Sequence, residues 1–338
     1  MGALVLGEGG RESPPCSSYM PEGSDREDCA NNGVCCDRKK HSMTPRDFAG
    51  LIVLSALWGG SFLFIRVAVP ALGPFLLVEL RVGLAAVALF LYALAAGRMP
   101  KIRSRWRSFL VLGFLNAAVP FSLISAAEIP LTASLAAILN STTVMFTAIL
   151  AAVWMGDALT PRKVIGIVLG IVGVTVLVGW DPLPLNGVVL LAVAAMLIAL
   201  LSYALGATYA KQSFSGIPPL GMAIGQLGGA VALLLPLAAV SLPSEAPSLV
   251  VALSMLGLAL LSTAVAYLIY FRLIENVGPT STVTVTLLVP IFGLLFGVLL
   301  LDEPFGPGTL AGLGLILMSV VLITGIAPRR SNTESVLT

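Results

Sequence analysis

The chain has 338 residues, 57% of them hydrophobic and 11% charged, with a mean hydropathy of +0.99. Soluble proteins carry roughly 25% charged residues, so this composition cannot clothe a water-soluble fold. One His and 7% aromatics also speak against haem or a multi-histidine metal centre. Nineteen Lys and Arg against seventeen Asp and Glu give a net charge of +2, a total that means little until the charges are located.

Residues 1–42 hold seven acidic and five basic side chains, all four Cys, and no apolar run long enough for a signal peptide. Cys16, Cys29, Cys35, Cys36 and His41 invite a zinc reading, but no Cys-x-x-Cys pair is present. A disulfide module would not suit the cytoplasmic side. The expectation is a disordered cytoplasmic leader, or a natural start at Met43, where Met-Thr-Pro-Arg-Asp runs directly into the first apolar stretch. The second is preferred.

A membrane helix needs about 20 apolar residues. Ten are predicted, at 48–68, 75–96, 108–127, 132–154, 163–180, 187–209, 219–240, 249–271, 279–301 and 308–326. The intervening segments carry Pro, Gly or charge, which end helices or mark the water interface. The runs are too long and unbroken for alternating β-barrel strands. Small residues at Gly166 and Gly170, and at Gly308, Gly312 and Gly314, predict close helix packing within the chain rather than a dimer seam. Lys and Arg favour cytoplasmic loops, and they gather on alternate connections: Arg46; Arg98 to Arg107; Arg162 and Lys163; Lys211; Arg272; Arg329 and Arg330. Both termini are therefore expected in the cytoplasm, the protein lying in the cell membrane.

The chain also repeats itself. A shift of 145 pairs Trp58 with Tyr203, Phe64 with Tyr209, Arg66 with Lys211, Pro74 with Pro219 and Gly83 with Gly228. From the third span the shift is 146, pairing Phe146 with Phe292, Asp157 with Glu303, Pro161 with Pro307, Gly166 with Gly312 and Gly179 with Gly325. Five spans per unit is an odd number, so the second unit enters the membrane from the opposite side. The predicted fold class is an all-α polytopic membrane protein with ten transmembrane helices as two inverted five-helix repeats. Its parts are the leader 1–42, repeats 43–180 and 181–327, and a cytoplasmic tail 328–338. Inverted repeats are a hallmark of secondary transporters that open a central site alternately to each side.

Ala-Leu-Trp-Gly-Gly-Ser-Phe at 56–62, Arg81, Gly-Asp-Ala-Leu-Thr-Pro at 156–161 and its echo Asp-Glu-Pro-Phe-Gly-Pro at 302–307 resemble the EamA family of the drug/metabolite transporter superfamily. The resemblance spans about 46–327. It implies the two-repeat fold and the movement of small metabolites, often outward, with widely varied substrates. Asp157 departs from the family's common Glu and keeps the charge.

Charged groups within spans are costly and become functional candidates. Glu79 and Arg81, two residues apart, point to different faces. Arg81 could neutralise an anionic substrate or lock its helix to a neighbour, its counterpart Gln226 keeping polarity without charge. Glu79 could carry a coupling proton or sit at the interface. Arg66 reads as an interface residue reaching to water, Glu128 as solvated, and Asp157 and Glu303 as caps of the helices that follow them.

The substrate lining is expected among Trp58, Phe62, Asn116, Asn140, Tyr203, Tyr267 and Tyr270, with Ser122, Thr143, Ser202, Thr284 and Thr286 as further candidates. Any one Ser or Thr more commonly bonds its own helix. Pro120, Pro236 and Pro290 can kink their spans. The expected partners are a small-molecule substrate and the bilayer, with no nucleic acid, no cofactor and no metal, and with proton coupling possible in a monomer or homodimer. An enzyme is disfavoured because there is no His-Glu-x-x-His site and no His within a span, and a nucleotide-driven pump because no phosphate-binding Gly-x-x-x-x-Gly-Lys-Ser/Thr loop is present. The remaining alternatives are a nucleotide-sugar or sugar-phosphate exchanger, which would want several cations at its site, and a non-transporting sensor or scaffold.

Overall fold

The computed structural model describes residues 43–98, 105–180, 186–214, 216–243 and 245–325. The expectations for the leader and the tail lie outside these residues. Every regular element among them is helical. In chain order they are α1 (Pro45–Ala95), α2 (Trp106–Ala127), α3 (Ala133–Asn140), α4 (Thr143–Met155), α5 (Pro161–Gly179), α6 (Gly187–Ser213), α7 (Pro219–Ala239), α8 (Leu249–Gly278), α9 (Val285–Leu301) and α10 (Pro307–Thr324). With α3 and α4 taken together, eight segments among the described residues are long and apolar enough to cross a membrane, and α9 is a shorter apolar helix. The protein is a multi-pass membrane protein.

The helix starts follow local chemistry. Thr44 and Asp47 form a capping box at the head of α1, with Pro45 in the first turn where a missing N–H costs nothing. Thr132, Thr160, Asn186 and Ser248 cap α3, α5, α6 and α8, each side chain accepting a backbone N–H three residues on.

The helix interruptions differ from the expectation. The first two predicted spans join at a single residue, Gly73, whose φ of 69° and ψ of 162° suit only glycine; Pro70 and Pro74 lie within helical backbone on either side. The predicted 132–154 span is broken at Ser141 and Thr142. The helix begun at Leu249 runs to Gly278 (φ 79°), where a short turn of helix leads to a second break at Val283 and Thr284 before α9. Apolar periodicity does not register a break of one residue at Gly73, or of two at 141–142 and 283–284 where Ser and Thr hydroxyls serve the open carbonyls.

Packing relies on glycine. A methyl on Gly166 would lie 2.7 Å from Ile323, and one on Gly173 would lie 2.8 Å from Ile316. From the other side, a methyl on Gly312 would meet Leu177 at 2.7 Å. These positions bring α5 and α10 into close contact along their length, so this seam is internal to the chain. α1 packs against α7, α8 and α9; a methyl on Gly59 of α1 would lie 2.8 Å from the Val289 carbonyl of α9, and one on Gly257 of α8 would lie 2.9 Å from Phe64 of α1. Large apolar side chains such as Val87, Leu91, Trp154, Leu191 and Leu299 face outward, as a lipid-facing surface requires.

A cavity at two helix breaks and a capped acidic end

The two breaks face one cavity. It is lined by Trp58 of α1, Asn140, Ser141, Thr143 and Val144 at the α3–α4 break, Tyr270 of α8, and Thr282, Val283, Val285, Thr286 and Val289 around the second break. Its free volume is about 30 Å³, room for a water or two rather than an organic solute. Asn140 and Thr286 are equivalent by the 146-residue shift, as are Thr143 and Val289. The cavity therefore lies where equivalent parts of the two repeats meet.

The hydroxyls at the breaks are engaged by their own helices. Thr142 donates to the Leu139 carbonyl at 2.8 Å, Thr143 to Asn140 at 2.6 Å, Thr282 to Gly278 at 2.8 Å and Thr286 to Val283 at 2.7 Å. These bonds satisfy carbonyls that an interrupted helix leaves open. Oδ1 of Asn140, by contrast, is buried with no hydrogen-bond partner, a free acceptor on the wall of the cavity. Trp58 and Tyr270 pack at a ring separation of 5.3 Å and supply the aromatic wall.

The other predicted lining residues lie elsewhere. Nδ2 of Asn116 donates to Gln226 at 2.7 Å, and Gln226 donates to the Tyr267 hydroxyl at 3.0 Å. Tyr203 meets the edge of Phe121, and Phe62 is buried in the apolar core. Ser202 donates to the Leu115 carbonyl at 2.7 Å. Of the residues that sequence reasoning passed over, Ser141, Thr282, Val283 and Val285 belong to two Ser/Thr-rich runs, Asn140–Thr143 and Thr280–Thr286, and Val144 and Val289 follow just after them. Those runs were the available signal.

Arg81 is 4% exposed. Its Nε donates to Oγ1 of Thr263 at 3.1 Å and its guanidinium stacks on Phe121 at 3.9 Å. It thereby ties α1 to α2 and α8, and it lines no part of the cavity. Its counterpart Gln226 ties α7 to α2 in parallel fashion. Both α2 and α8 widen locally at these contacts, into π-helical turns at Phe114–Ala118 and Gly257–Val265. Glu79 makes no ion pair with Arg81. It faces a groove between α1 and α7 with Leu76, Leu80, Leu235 and Leu242, and its Oε2 is buried and unpartnered.

Three charged residues depart from their expected roles at the end of the bundle where α2 gives way to α3. Arg66 donates to the carbonyls of Glu128 and Ile129 at 2.6 and 2.7 Å, closing the C-terminus of α2 from a half-buried position. Glu303 caps α3, across the repeat boundary, and not the helix that follows it. Its carboxylate accepts from the Ala133 and Ser134 amides at 2.7 and 2.9 Å and from the Ser134 hydroxyl at 2.6 Å. Glu128 is fully buried and neither carboxyl oxygen has a hydrogen-bond partner. Burial pushes that carboxyl well above the usual carboxylate range; the neighbouring Glu303 charge adds to the shift, and Arg66 and Arg81 oppose it. Asp157, the counterpart of Glu303, is exposed at the opposite end, and the helix after it is capped by Thr160. No group of His, Cys, Asp and Glu that could hold a metal ion occurs among the described residues.

Comparison with known proteins adds a family to this geometry. The model of the EamA-like transporter family matches the chain twice, at residues 48–179 and 190–325. An "uncharacterized transporter" of Archaeoglobus fulgidus is 25% identical over 81% of this chain and 96% of its own length. The "uncharacterized inner membrane transporter YedA" of Escherichia coli K12 is 27% identical over 82% of this chain and 90% of its own. A "probable amino-acid metabolite efflux pump" from the same strain is 28% identical over 84% and 94%. A crystal structure with a TM-score of 0.59 and 18% identity covers 81% of this chain and 96% of that one, and shares the fold.

Proposed function

This chain belongs to the EamA-like transporter family, and we propose from that premise that it exports a small, net-uncharged metabolite of the amino-acid class by alternating access. It is a multi-pass membrane transporter. The observation that carries the finer reading is the cavity where the two helix breaks meet. Interrupted helices in equivalent spans of two repeats are the usual place for a transported solute, and here the second break lies one helical turn earlier than the repeat shift would put it. The lining combines an aromatic wall, threonines and the free acceptor of Asn140, and none of the lining residues is charged. Such a surface suits a solute with an apolar part and a few neutral or zwitterionic groups.

The architecture in this reading is ten spans in two inverted units, α1 counting as two helices about Gly73 and α3 with α4 as one. The separate family match to each half supports it. The Lys and Arg distribution supports cytoplasmic termini, which makes the Glu303 end the outer one. With Glu303 bonded to α3 and Asp157 exposed, the state described suits a transporter closed on the outside.

Exchange of sugar phosphates is the weaker alternative, because it wants cations at the site and Arg81 is engaged by Thr263 and Phe121.

Counterflow into vesicles reconstituted with the full chain tests the proposal, using labelled neutral amino acids, nucleosides, nucleotide sugars and organic cations. Saturable exchange of neutral amino acids, lost in Asn140→Ala, is expected. Exchange confined to nucleotide sugars or cations would overturn the substrate class, and no exchange of any solute would favour a scaffold.

A further inference from the structure

We propose that Glu128 is a proton-binding site, and that closing the Glu303 end of the bundle takes up one proton there. The inference rests on the alternating-access reading for its place in a cycle, and on local geometry for its chemistry. Glu128 sits in the turn between α2 and α3, wholly buried, with both carboxyl oxygens lacking partners. A carboxylate in such a place has neither water nor donors to hold its charge, so it is neutral.

The groups facing it explain why no partner rescues the charge. Arg66 of α1 is the nearest source of compensation, yet its guanidinium is bonded to backbone carbonyls, one of them Glu128's own. Arg81, also of α1, is bonded to Thr263 and stacked on Phe121. Glu303, after α9, is itself an anion held by three donors of α3, and its charge repels a second one. The closed end thus stores one ionised and one neutral carboxyl, and they have different tasks. Glu303 bridges the repeats. Glu128 must be emptied of charge before the bridge can close over it.

Opening this end separates α9 from α3 and admits water to Glu128, which returns its carboxyl towards the ordinary acidic range. The proton leaves to water on opening and is taken from water on closing. The sign follows. The closed state has the higher proton affinity, so acidity on that side favours closure, and closure weakens as pH rises through the closed-state value.

The test reads closure without any substrate. Cys16, Cys29, Cys35 and Cys36 are replaced by Ser, and a reporter Leu131→Cys is placed at a fully buried position of the turn beside Glu128. Labelling by a membrane-impermeant maleimide is measured in vesicles against external pH. It is normalised to a chain carrying Ala246→Cys at an exposed site, which removes the thiol's own pH dependence. The normalised rate should rise with pH, by up to about tenfold per unit for one proton. Glu128→Gln, which mimics the protonated side chain in size, should hold it low and flat. Glu303→Gln, which weakens the bridge, should raise it at every pH.

A rise that persists in Glu128→Gln overturns the proton site, as does a parent chain with no rise. If Glu303→Gln still raises labelling in either case, the gate and the alternating-access reading stand without the proton. If Glu303→Gln labels no faster than the parent, the closure itself is wrong and the inference falls with it.

Discussion

The carboxylate of Glu303 and the N-terminus of α3 at Ser134 are 169 residues apart in sequence and joined by two hydrogen bonds, at 2.6 and 2.9 Å. The side chain passes Gly297, where any methyl group would collide with both the Ser134 hydroxyl and the Glu303 carboxylate. An anion at a helix N-terminus meets the free amides and the positive end of the helix dipole together. This contact links the two halves of the chain at that end by charge. Gly297→Ala should therefore lower stability by about 2 kcal/mol through overpacking. Glu303→Ala should cost about 3 kcal/mol through donors left unmet. Because both act on one contact, the double variant should cost clearly less than the sum, as read from thermal unfolding in detergent.

Arg66 satisfies two carbonyls at the end of α2. Arg66→Met keeps the apolar stem and removes both donors, and should lower stability by about 1–3 kcal/mol. Arg66→Lys should recover only part of this, because an ammonium lacks the planar fork that serves two acceptors at once. The comparison is made by unfolding temperature, and full rescue by Lys would defeat the two-carbonyl account.

The α5–α10 seam offers a controlled pair of substitutions. Gly173→Ala puts a methyl 2.8 Å from Ile316 and should cost about 1–3 kcal/mol. Gly314→Ala lies on α10 with nothing within 4 Å and should be neutral or slightly stabilising. Equal unfolding temperatures for the two variants would show that close backbone approach does not hold this pair together.

Asn140 and Asn116 look alike in sequence and should fail differently. Asn140→Ala removes the unpartnered acceptor in the cavity, so transport should fall at least about tenfold with the folded protein intact, provided the solute takes that bond. Trp58→Ala should act similarly by removing the aromatic wall. Asn116→Ala leaves Gln226 short of a donor and should appear first as lost stability, about 1–3 kcal/mol. Uptake rates and unfolding temperatures, measured on the same preparations, separate the two kinds of effect.

Much of this was legible without coordinates. Trp58, Asn140 and Tyr270 were picked from the sequence and share one cavity, because mid-span polar and aromatic side chains have few places to go in lipid except inward. Asn116, Tyr267 and Tyr203 met the same criterion and instead hold helices together, since a hydrogen-bond partner on a neighbouring helix cannot be read from a single strand of text. The helix breaks at 141–142 and 283–284 were missed for a related reason. Hydropathy averages over 20 residues, whereas a break is a matter of two residues and the hydroxyls that serve them.

Low charge, long apolar runs and the repeat determined by themselves that the chain spans a membrane and is built from two similar halves, because both follow from composition and spacing along the chain. The uneven charge of the loops set the expected orientation in the same way. What each buried charge does was decided only by the tertiary structure. Arg66, Arg81, Glu128 and Glu303 carry the same formal charges in sequence as any solvated residue. Whether a carboxyl is an anion with three donors or a neutral acid with none depends on which groups, from helices far apart in the chain, arrive within 3 Å of it.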